Sequence, residues 1–302
     1  MASGPSGSYD QQQSVPADWR ADPELAPWRP VIERRAAHFQ SVLDDFVRAE
    51  GSLHAFCFVN GLDFLGLHRA SGGTWVREWA PSAVSVACVG DFNGWCPTRH
   101  PCTASATHAG VWEVFIPDDA SGRSALPVGA RYKLSLRLRR ASSGGEPTGA
   151  LLCMPAWALA TEQDASSAEY CAIVPPELDA YAWRHPRPRA RPASLRVYEA
   201  HVGISSAEPV IASWAHFREQ VLPRVAALGY TALLLMAVAE HGYYASFGFQ
   251  VTCFFAPSCR FGPPHELQAL VDAAHGLGLL VLFELVDGGH FHLGRRALLH
   301  MA

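Results

Sequence analysis

Hydrophobic positions along the chain follow three successive patterns. In residues 22–53 apolar side chains recur every three or four residues among charged ones, which predicts an amphipathic helix ending near Gly51. In residues 72–174 the period becomes two, and short apolar runs alternate with clusters of Gly, Pro, Asn and Asp. Short strands separated by turn residues predict a β-sandwich.

A third pattern begins at residue 195. The segments 195–202, 231–238 and 279–286 are predicted strands, of which 231–238 is almost continuously apolar, and the helical segments 217–228 and 265–275 lie between them. Strands that are apolar on both faces and alternate with helices predict a parallel sheet covered by helices. Such units open either a barrel or a doubly wound sheet. The second is disfavoured because no GxGxxG or GxxxxGK[ST] motif follows a strand.

Composition narrows the possible partners. The chain has 302 residues, 49% of them hydrophobic, and 24 Lys and Arg against 28 Asp and Glu, which gives a net charge of -4. A chain without a basic field is not expected to bind nucleic acid as its main partner. The apolar runs are also far shorter than the roughly 20 residues of a membrane-spanning helix, so no membrane association is predicted.

The N-terminus and the cysteines bear on location. Residues 1–14 are rich in Ser, Gly and Gln and carry no apolar stretch, so we expect a disordered tail rather than a signal or transit peptide. The eight cysteines are scattered and form no CxxC pair. Reduced thiols are therefore expected, in the cytoplasm or alternatively in a plastid stroma.

Several motifs carry a family resemblance. They are REWAP (77–81), GDFNGW (90–95), YEAHVG (198–203), LGY (228–230), EHGYYASFGF (240–249) and FFAPSCRFG (254–262). With them, the chain resembles the eukaryotic type of 1,4-α-glucan (starch or glycogen) branching enzyme from about residue 22 to 286. That family belongs to the α-amylase clan, glycoside hydrolase family 13.

The resemblance implies a multidomain architecture. It comprises an N-terminal helical segment, an immunoglobulin-like β-sandwich that is a family-48 carbohydrate-binding module, and the first part of a (β/α)8 barrel, incomplete here with about three strands. The expected domains are a disordered tail (1–21), the helical segment (22–71), the sandwich (72–180), a linker (181–194) and the truncated catalytic barrel (195–302). The linker is predicted to be extended because it is rich in Arg and Pro.

Two residues of the sandwich match sugar-binding positions. Trp95 could offer the apolar face of its indole to a glucose ring, while its N–H and the nearby Asn93 hydrogen-bond sugar hydroxyls. The resemblance implies that Lys133 also contacts sugar. Alternatively, Trp95 pins the turn to the sandwich and Lys133 is merely solvated. The loop at 141–149 is predicted to be a flexible hairpin insertion.

In the barrel portion, aromatic residues follow the second strand, at the face where barrels build their active sites. The resemblance implies that Phe249 replaces a Tyr that stacks under the reacting sugar, and Tyr243 is a further candidate sugar contact. Phe retains the ring and loses the hydroxyl. Alternatively these rings only roof the barrel.

The third strand departs from the family pattern. Glu284 replaces an Asp, Gly289 lies where a sugar-contacting His is expected, and His290 follows one residue late. His290 is the candidate substrate-binding residue here, although we interpret His290 and His292 as structural rather than as a catalytic pair. A metal site built on them would need two further ligands, so no metal and no cofactor are predicted.

Catalysis is not assigned to any residue of the chain. Retaining glycosyl transfer needs a nucleophile and an acid/base about 5 Å apart, and the resemblance implies that both lie beyond Ala302. Glu240, Glu284 and Asp287 lie near strand ends, but no motif gives them a reaction role.

Two hypotheses follow for function. The first is the N-terminal part of a branching-enzyme-like protein, from a truncated gene model or a fragment. Its complete form would be a glycosyltransferase of starch or glycogen biosynthesis that transfers α-1,4-glucan segments to 6-hydroxyls. The alternative is a noncatalytic glucan-binding protein. Both have α-glucan (amylose, amylopectin or glycogen) as partner, and neither defines an oligomeric state.

Overall fold

The computed structural model describes residues 22–52, 61, 63–138, 149–176, 181–188 and 194–286. The chain divides into two compact units, residues 1–56 and residues 57–302. The predicted tail, most of the predicted hairpin insertion and His290 lie outside the described residues.

The first unit contains the predicted helix. Helix α1 spans Arg29–Glu50, follows a short 3-10 turn at Ala26–Trp28, and has Pro30 in its first turn. Proline fits there because the first N–H groups of a helix have no partner within the helix. The helix ends at Gly51, whose φ of 82° lies in the region that glycine adopts most readily. The predicted helix and its stop are confirmed.

The second unit begins with a β-sandwich made of two antiparallel sheets. The first sheet has the order β1-β2-β5-β4, and the second has the order β3-β6-β9-β8, with β7 also paired to β6. The strands are β1 Gly66–Ala70, β2 Gly73–Trp79, β3 Ala83–Gly90, β4 Thr103–Ala104, β5 Val111–Pro117, β6 Arg131–Leu138, β7 Leu151–Cys153, β8 Thr161–Gln163 and β9 Tyr170–Ile173.

Alternate residues of these strands point into one shared core. Val76 and Ile116 of the first sheet pack with Val86, Tyr132 and Leu134 of the second. Alternating residues of the two sheets therefore build the predicted sandwich core, although β3 and β6 are buried on both faces over most of their length.

The sandwich starts earlier than the sequence pattern indicates. Residues 66–70 were expected in the helical segment, but they form β1, which pairs antiparallel with β2 from Gly66 opposite Arg77 to Ala70 opposite Gly73. Its sequence, GLHRA, has too little alternation to predict an edge strand, and pairing to β2 decides its conformation.

The C-terminal part of the second unit contains the predicted parallel sheet. Strands β10 Val197–His201, β11 Ala232–Met236 and β14 Leu280–Phe283 lie in the order β10-β11-β14, and both pairings are parallel. Helix α2 is formed by Trp214–His216, a π-helical turn Phe217–Val221 and Leu222–Ala227, and helix α3 spans Pro264–Gly276. Leu233 and Leu235 of β11 are fully buried in one core with residues of both helices.

A hairpin absent from the sequence prediction follows β11. Its strands, β12 Ala239–His241 and β13 Val251–Pro257, pair antiparallel with shifts in register. Cys253 and Ala256 of β13 pack in the core of the sandwich, and Trp157 stacks on Phe255 at 4.5 Å between ring centroids. The hairpin therefore joins the sandwich to the parallel sheet.

The described part of the linker, residues 181–188, contains neither helix nor strand, as expected for an Arg- and Pro-rich segment. It is nevertheless fastened to α3. The fully buried carboxylate of Asp272 accepts hydrogen bonds from Arg184 Nε, the backbone N–H of His185 and the hydroxyl of Tyr181.

Among the helices described by the structure, none is long and apolar enough to cross a membrane. The seven cysteines within the described residues are all free thiols.

Candidate functional site

The GDFNGW motif forms a compact turn after β3. A 3-10 turn covers Asp91–Asn93, and Gly94 and Trp95 both adopt left-handed conformations, with φ of 63° and 60°. A non-glycine residue in this region is uncommon, so the turn holds the indole of Trp95 in a defined place. That indole is half-buried and donates from Nε1 to Asp91 Oδ1 at 3.1 Å.

The N–H of Trp95 therefore has an intramolecular partner instead of being free for sugar. Asp91 also accepts from Arg131 Nε at 3.0 Å, and Arg131 lies 3.6 Å from Asp164. The guanidinium of Arg131 lowers the pKa of Asp91 through its hydrogen bond. This row of charged groups keeps the Trp95 turn against the second sheet, and it leaves the ring face as the group that sugar can contact.

Asn93 was expected to be accessible to sugar, but its side chain is buried. It is only 1% exposed, donates from Nδ2 to the carbonyl of Cys88 and accepts from the N–H of Gly90 through Oδ1. These bonds close the turn on β3, so Asn93 is a structural residue. The expectation that it binds sugar hydroxyls is wrong.

Lys133 lies two residues after Arg131 on β6 and therefore on the same face of the strand. Its side chain is 10% exposed, and Nζ is 3.1 Å from Oε2 of Glu169, whose side chain is 70% exposed. Lys133 is thus neither simply solvated nor free. The structure brings Trp95 and Lys133 to one face of the second sheet, and sequence reasoning missed Arg131, Asp164 and Glu169 beside them.

The second candidate region is the loop between β12 and β13. Tyr243 is 60% exposed and Phe249 is 56% exposed, at opposite ends of a 3-10 turn, Tyr244–Ser246. The hydroxyl of Ser246 donates to the carbonyl of Tyr243 at 2.6 Å, which tightens the turn. The two rings are available to a ligand, as a sugar-stacking role requires.

A buried histidine underlies this loop. His201 ends β10, is 5% exposed, and is met edge-on by the rings of Tyr244, Phe247 and Phe261, with centroids 5.3 to 5.8 Å away. Burial, followed by the nearby His241, lowers the pKa of His201. Its ring therefore supports the loop mainly as a neutral aromatic group.

Glu240 is fully buried at the base of the same loop. Its carboxylate accepts from Thr161 Oγ1 at 2.7 Å, Ser258 Oγ at 3.0 Å, the N–H of Cys259 at 2.8 Å and the N–H of His241 at 3.1 Å. A carboxylate enclosed by this many donors has no access to a substrate. Of the three acidic residues considered for catalysis, Glu240 is thus structural.

The other acidic candidates are placed differently. Glu284 is half-buried after β14, and its N–H donates to the carbonyl of Leu235. Asp287 and His290 lie outside the described residues. Within the described ranges, no three His, Cys, Asp or Glu side chains form a cluster that could bind a metal ion.

Comparisons with known proteins agree with the motif resemblance. Residues 64–158 match the family model of carbohydrate-binding module 48 (isoamylase N-terminal domain). The chain is 40% identical over 282 residues to the 1,4-α-glucan-branching enzyme 2-2, chloroplastic/amyloplastic, of Arabidopsis thaliana, covering 93% of this chain and 33% of the relative. It is 41% identical to the 1,4-α-glucan-branching enzyme of Aspergillus oryzae, covering 92% of this chain and 38% of the relative.

A solved structure shows the same fold. The catalytic module of SpuA, a multi-modular glycogen-degrading pneumococcal virulence factor, superposes with a TM-score of 0.57 at 16% identity, over 75% of this chain and 37% of that one. The predicted fold class is confirmed: a helical segment, a β-sandwich and part of an α-amylase-like barrel. The chain spans about a third to two fifths of the length of these two branching enzymes.

Proposed function

We propose that this chain binds α-1,4-glucan, such as amylose, amylopectin or glycogen, as the substrate-holding part of a branching enzyme. The observation that carries the proposal is the 40% identity over 93% of the chain to a 1,4-α-glucan-branching enzyme. The match of residues 64–158 to a carbohydrate-binding module supports it independently of the barrel portion.

The geometry suits a sugar ligand at two places. Trp95 presents a ring on a rigid turn flanked by charged hydrogen-bonding groups, and Tyr243 and Phe249 present rings on a short loop. Aromatic faces contact the C–H surface of a pyranose, while charged and polar groups bind its hydroxyls. We propose Trp95, Lys133, Tyr243 and Phe249 as substrate-binding residues. His290 lies outside the described residues and is a further candidate that rests on the family resemblance alone.

The complete reaction would proceed with retention. A carboxylate attacks the anomeric carbon of an α-1,4-linked glucose while a second carboxylic acid protonates the leaving 4-oxygen. A 6-hydroxyl of another chain then displaces the enzyme carboxylate and gives its proton back to the second carboxylate. Glu240 cannot take either role because it is enclosed by four donors from neighbouring groups and an Arg260 guanidinium. Glu284 and Asp287 have no assigned reaction role either, and we propose that the 302-residue chain alone has no branching activity.

Affinity electrophoresis tests binding. The full chain should be retarded in native gels containing amylose or amylopectin, and Trp95→Ala should weaken the apparent affinity about three- to tenfold, as loss of one aromatic contact implies. Trp79→Ala is the matched control, because Trp79 is 48% exposed on another strand of the sandwich. Unretarded migration of the folded chain would disprove glucan binding.

Both functional hypotheses predict that the chain alone has no branching activity, and an activity assay tests this. Amylose incubated with the purified chain should keep its iodine-stain spectrum and gain no α-1,6 linkages by NMR. Heat-labile formation of α-1,6 linkages would show that the chain itself supplies the carboxylates. Binding without activity would fit both the substrate-holding part and a noncatalytic glucan-binding protein. Activity restored by the remaining part of a branching enzyme favours the former.

We also propose a reducing compartment, the cytoplasm or a plastid stroma. The seven free cysteines among the described residues support it, since such thiols would be prone to oxidation elsewhere. Microscopy of the tagged protein in its own cells tests this assignment, and a secreted protein would contradict it.

A further inference from the structure

One arginine connects the sandwich to the loop that carries Tyr243 and Phe249. Arg260 follows β13 in a short 3-10 turn, Cys259–Phe261, and its side chain is 11% exposed. From Nη1 it donates to the carbonyl of His241 at 2.6 Å, and from Nη2 to the carbonyl of Gly242 at 3.1 Å. These carbonyls belong to the two residues that precede Tyr243.

The guanidinium is itself fixed from the opposite side. Nη1 also donates to Glu240 Oε1 at 3.2 Å, and the carbon of the guanidinium lies 5.4 Å from the ring centroid of Tyr170 on β9. Tyr170 donates its hydroxyl to the carbonyl of His241 at 3.4 Å, and Thr161 on β8 donates to Glu240. Strands β8 and β9 of the sandwich therefore both help to hold Arg260 and the first residues of the loop.

These contacts need an arginine. A planar guanidinium can donate to two carbonyls and a carboxylate while its face packs on an aromatic ring, whereas an ammonium group has neither the fork nor the flat face. The buried charge is balanced by Glu240, so the arrangement is electrostatically complete.

We propose that Arg260 is a positioning residue for glucan binding, through which the sandwich sets the conformation of the loop presenting Tyr243 and Phe249. Arg260 does not touch the sugar. The sandwich thus has a second role besides binding glucan at Trp95: it orders part of the barrel surface. This inference rests on the proposed function, because it concerns how the glucan is held.

The test compares Arg260→Lys with Arg218→Lys in the full chain. Arg218 is the matched control, since it is a partly buried arginine paired with Glu219 and Glu266 on the helices of the barrel portion. Arg260→Lys should speed amide hydrogen exchange in residues 242–250 while exchange in α3 and β6 stays at the parent rate. It should weaken amylose affinity about five- to tenfold, the factor expected from losing one or two hydrogen bonds. Arg218→Lys should do neither.

A double variant separates positioning from direct contact. If Arg260 acts through the loop, Arg260→Lys should have little further effect on affinity once Tyr243→Ala and Phe249→Ala together have removed both loop contacts. An equal loss in both backgrounds would overturn the proposal. Tyr170→Leu, which changes the sandwich side only, should also speed exchange in residues 242–250, and it serves if Arg260→Lys fails to fold.

The outcomes distinguish this inference from the proposed function. An unaltered chain that does not bind amylose contradicts both. An unaltered chain that binds, together with parental exchange in 242–250 or parental affinity in Arg260→Lys, contradicts the positioning role alone.

Discussion

The edge strands of the sandwich and of the parallel sheet differ in how well they are protected from pairing with further strands. In the sandwich, edge strand β4 has two residues, β8 is the polar segment TEQ, and β3 is covered by a bridge from Ala87 to Pro101. Short, polar or covered edges do not attract further strands. Within the described residues, β10 of the parallel sheet pairs with β11 on one side only.

A groove lined by both polar and apolar side chains borders β10. The groove has a volume of about 470 Å³ and lies between β10 and α2, where Leu228 is 73% exposed and Ile204 is 60% exposed. Both regions bury an apolar core. The remaining sandwich edge, β1, pairs only with β2 but carries the polar residues His68 and Arg69, whereas β10 borders this groove. The sandwich should therefore be the more independent of the two regions.

The largest loss of stability is expected from placing a charge in the core of the parallel sheet. Leu235 is fully buried on the central strand, so Leu235→Asp should cost more than about 4 kcal/mol and unfold the parallel sheet. Hydrogen exchange should show continued protection of β3 and β6, somewhat reduced because β13 contributes to the sandwich core. Val128→Asp, at a 66% exposed position, is the control. Equal loss of protection in both regions would show that they fold as one cooperative unit.

A buried carboxylate gives the sandwich its own pH dependence. Burial raises the pKa of Glu78 from 4.5 to about 7, against the opposing effect of backbone hydrogen bonds from Ala156 and Trp79. Because the folded-state pKa lies above the unfolded one, this contribution to stability is fully present below pH about 4.5 and is lost as the pH rises through about 7. The shift corresponds to roughly 3 kcal/mol.

Denaturant titrations across pH 5 to 8 measure this effect. Glu78→Gln should flatten the decline in sandwich stability over that range, whereas Glu169→Gln, at an exposed position, should leave it unchanged. A parental pH profile in Glu78→Gln would rule out Glu78 as its source.

The linker supplies a smaller test of how the two regions are joined. Asp272→Asn removes the charge that binds Arg184 and His185, which should cost about 2 kcal/mol. Trypsin should then cleave the full chain faster after Arg184, and the rate of cleavage reports the release. Cleavage at the parental rate would show that Asp272 does not hold the linker.

The smallest effect on stability is expected at the unpaired edge of β10. Val197→Lys with Leu228→Lys should reduce concentration-dependent light scattering and leave the melting temperature nearly unchanged, because both side chains are substantially exposed. Val128→Lys in the sandwich should not alter scattering. If the double variant still associates, another surface of the chain must mediate the association.

Regular periodicity made most of the fold predictable. Strand β6 has the predicted bounds, Arg131–Leu138, and helix α3, Pro264–Gly276, extends the predicted segment by one residue at each end. The hairpin of β12 and β13 was missed because its register shifts break the alternation on which strand prediction depends. Strand β1 was missed because its conformation is set by β2 rather than by its own pattern.

The site was less predictable because its side chains form hydrogen bonds with residues that are distant in the sequence. Thr161 and Glu240 are separated by 79 positions, and Lys133 and Glu169 by 36. Residue type suggested that Asn93 binds sugar, but its short side chain closes a local turn instead. The RFG segment was recognised as part of a motif, yet the sequence alone did not reveal that Arg260 reaches the sandwich.

Titrating the isotope-labelled full chain with maltoheptaose and following its amide resonances tests glucan binding most directly. We predict saturable shifts in two groups, around Trp95 and Arg131 in the sandwich and within residues 242–250 of the barrel loop. Trp95→Ala should abolish the first group, and Phe249→Ala the second. Absence of saturable shifts, or shifts confined to other parts of the chain, would contradict the proposal that these two places hold an α-glucan.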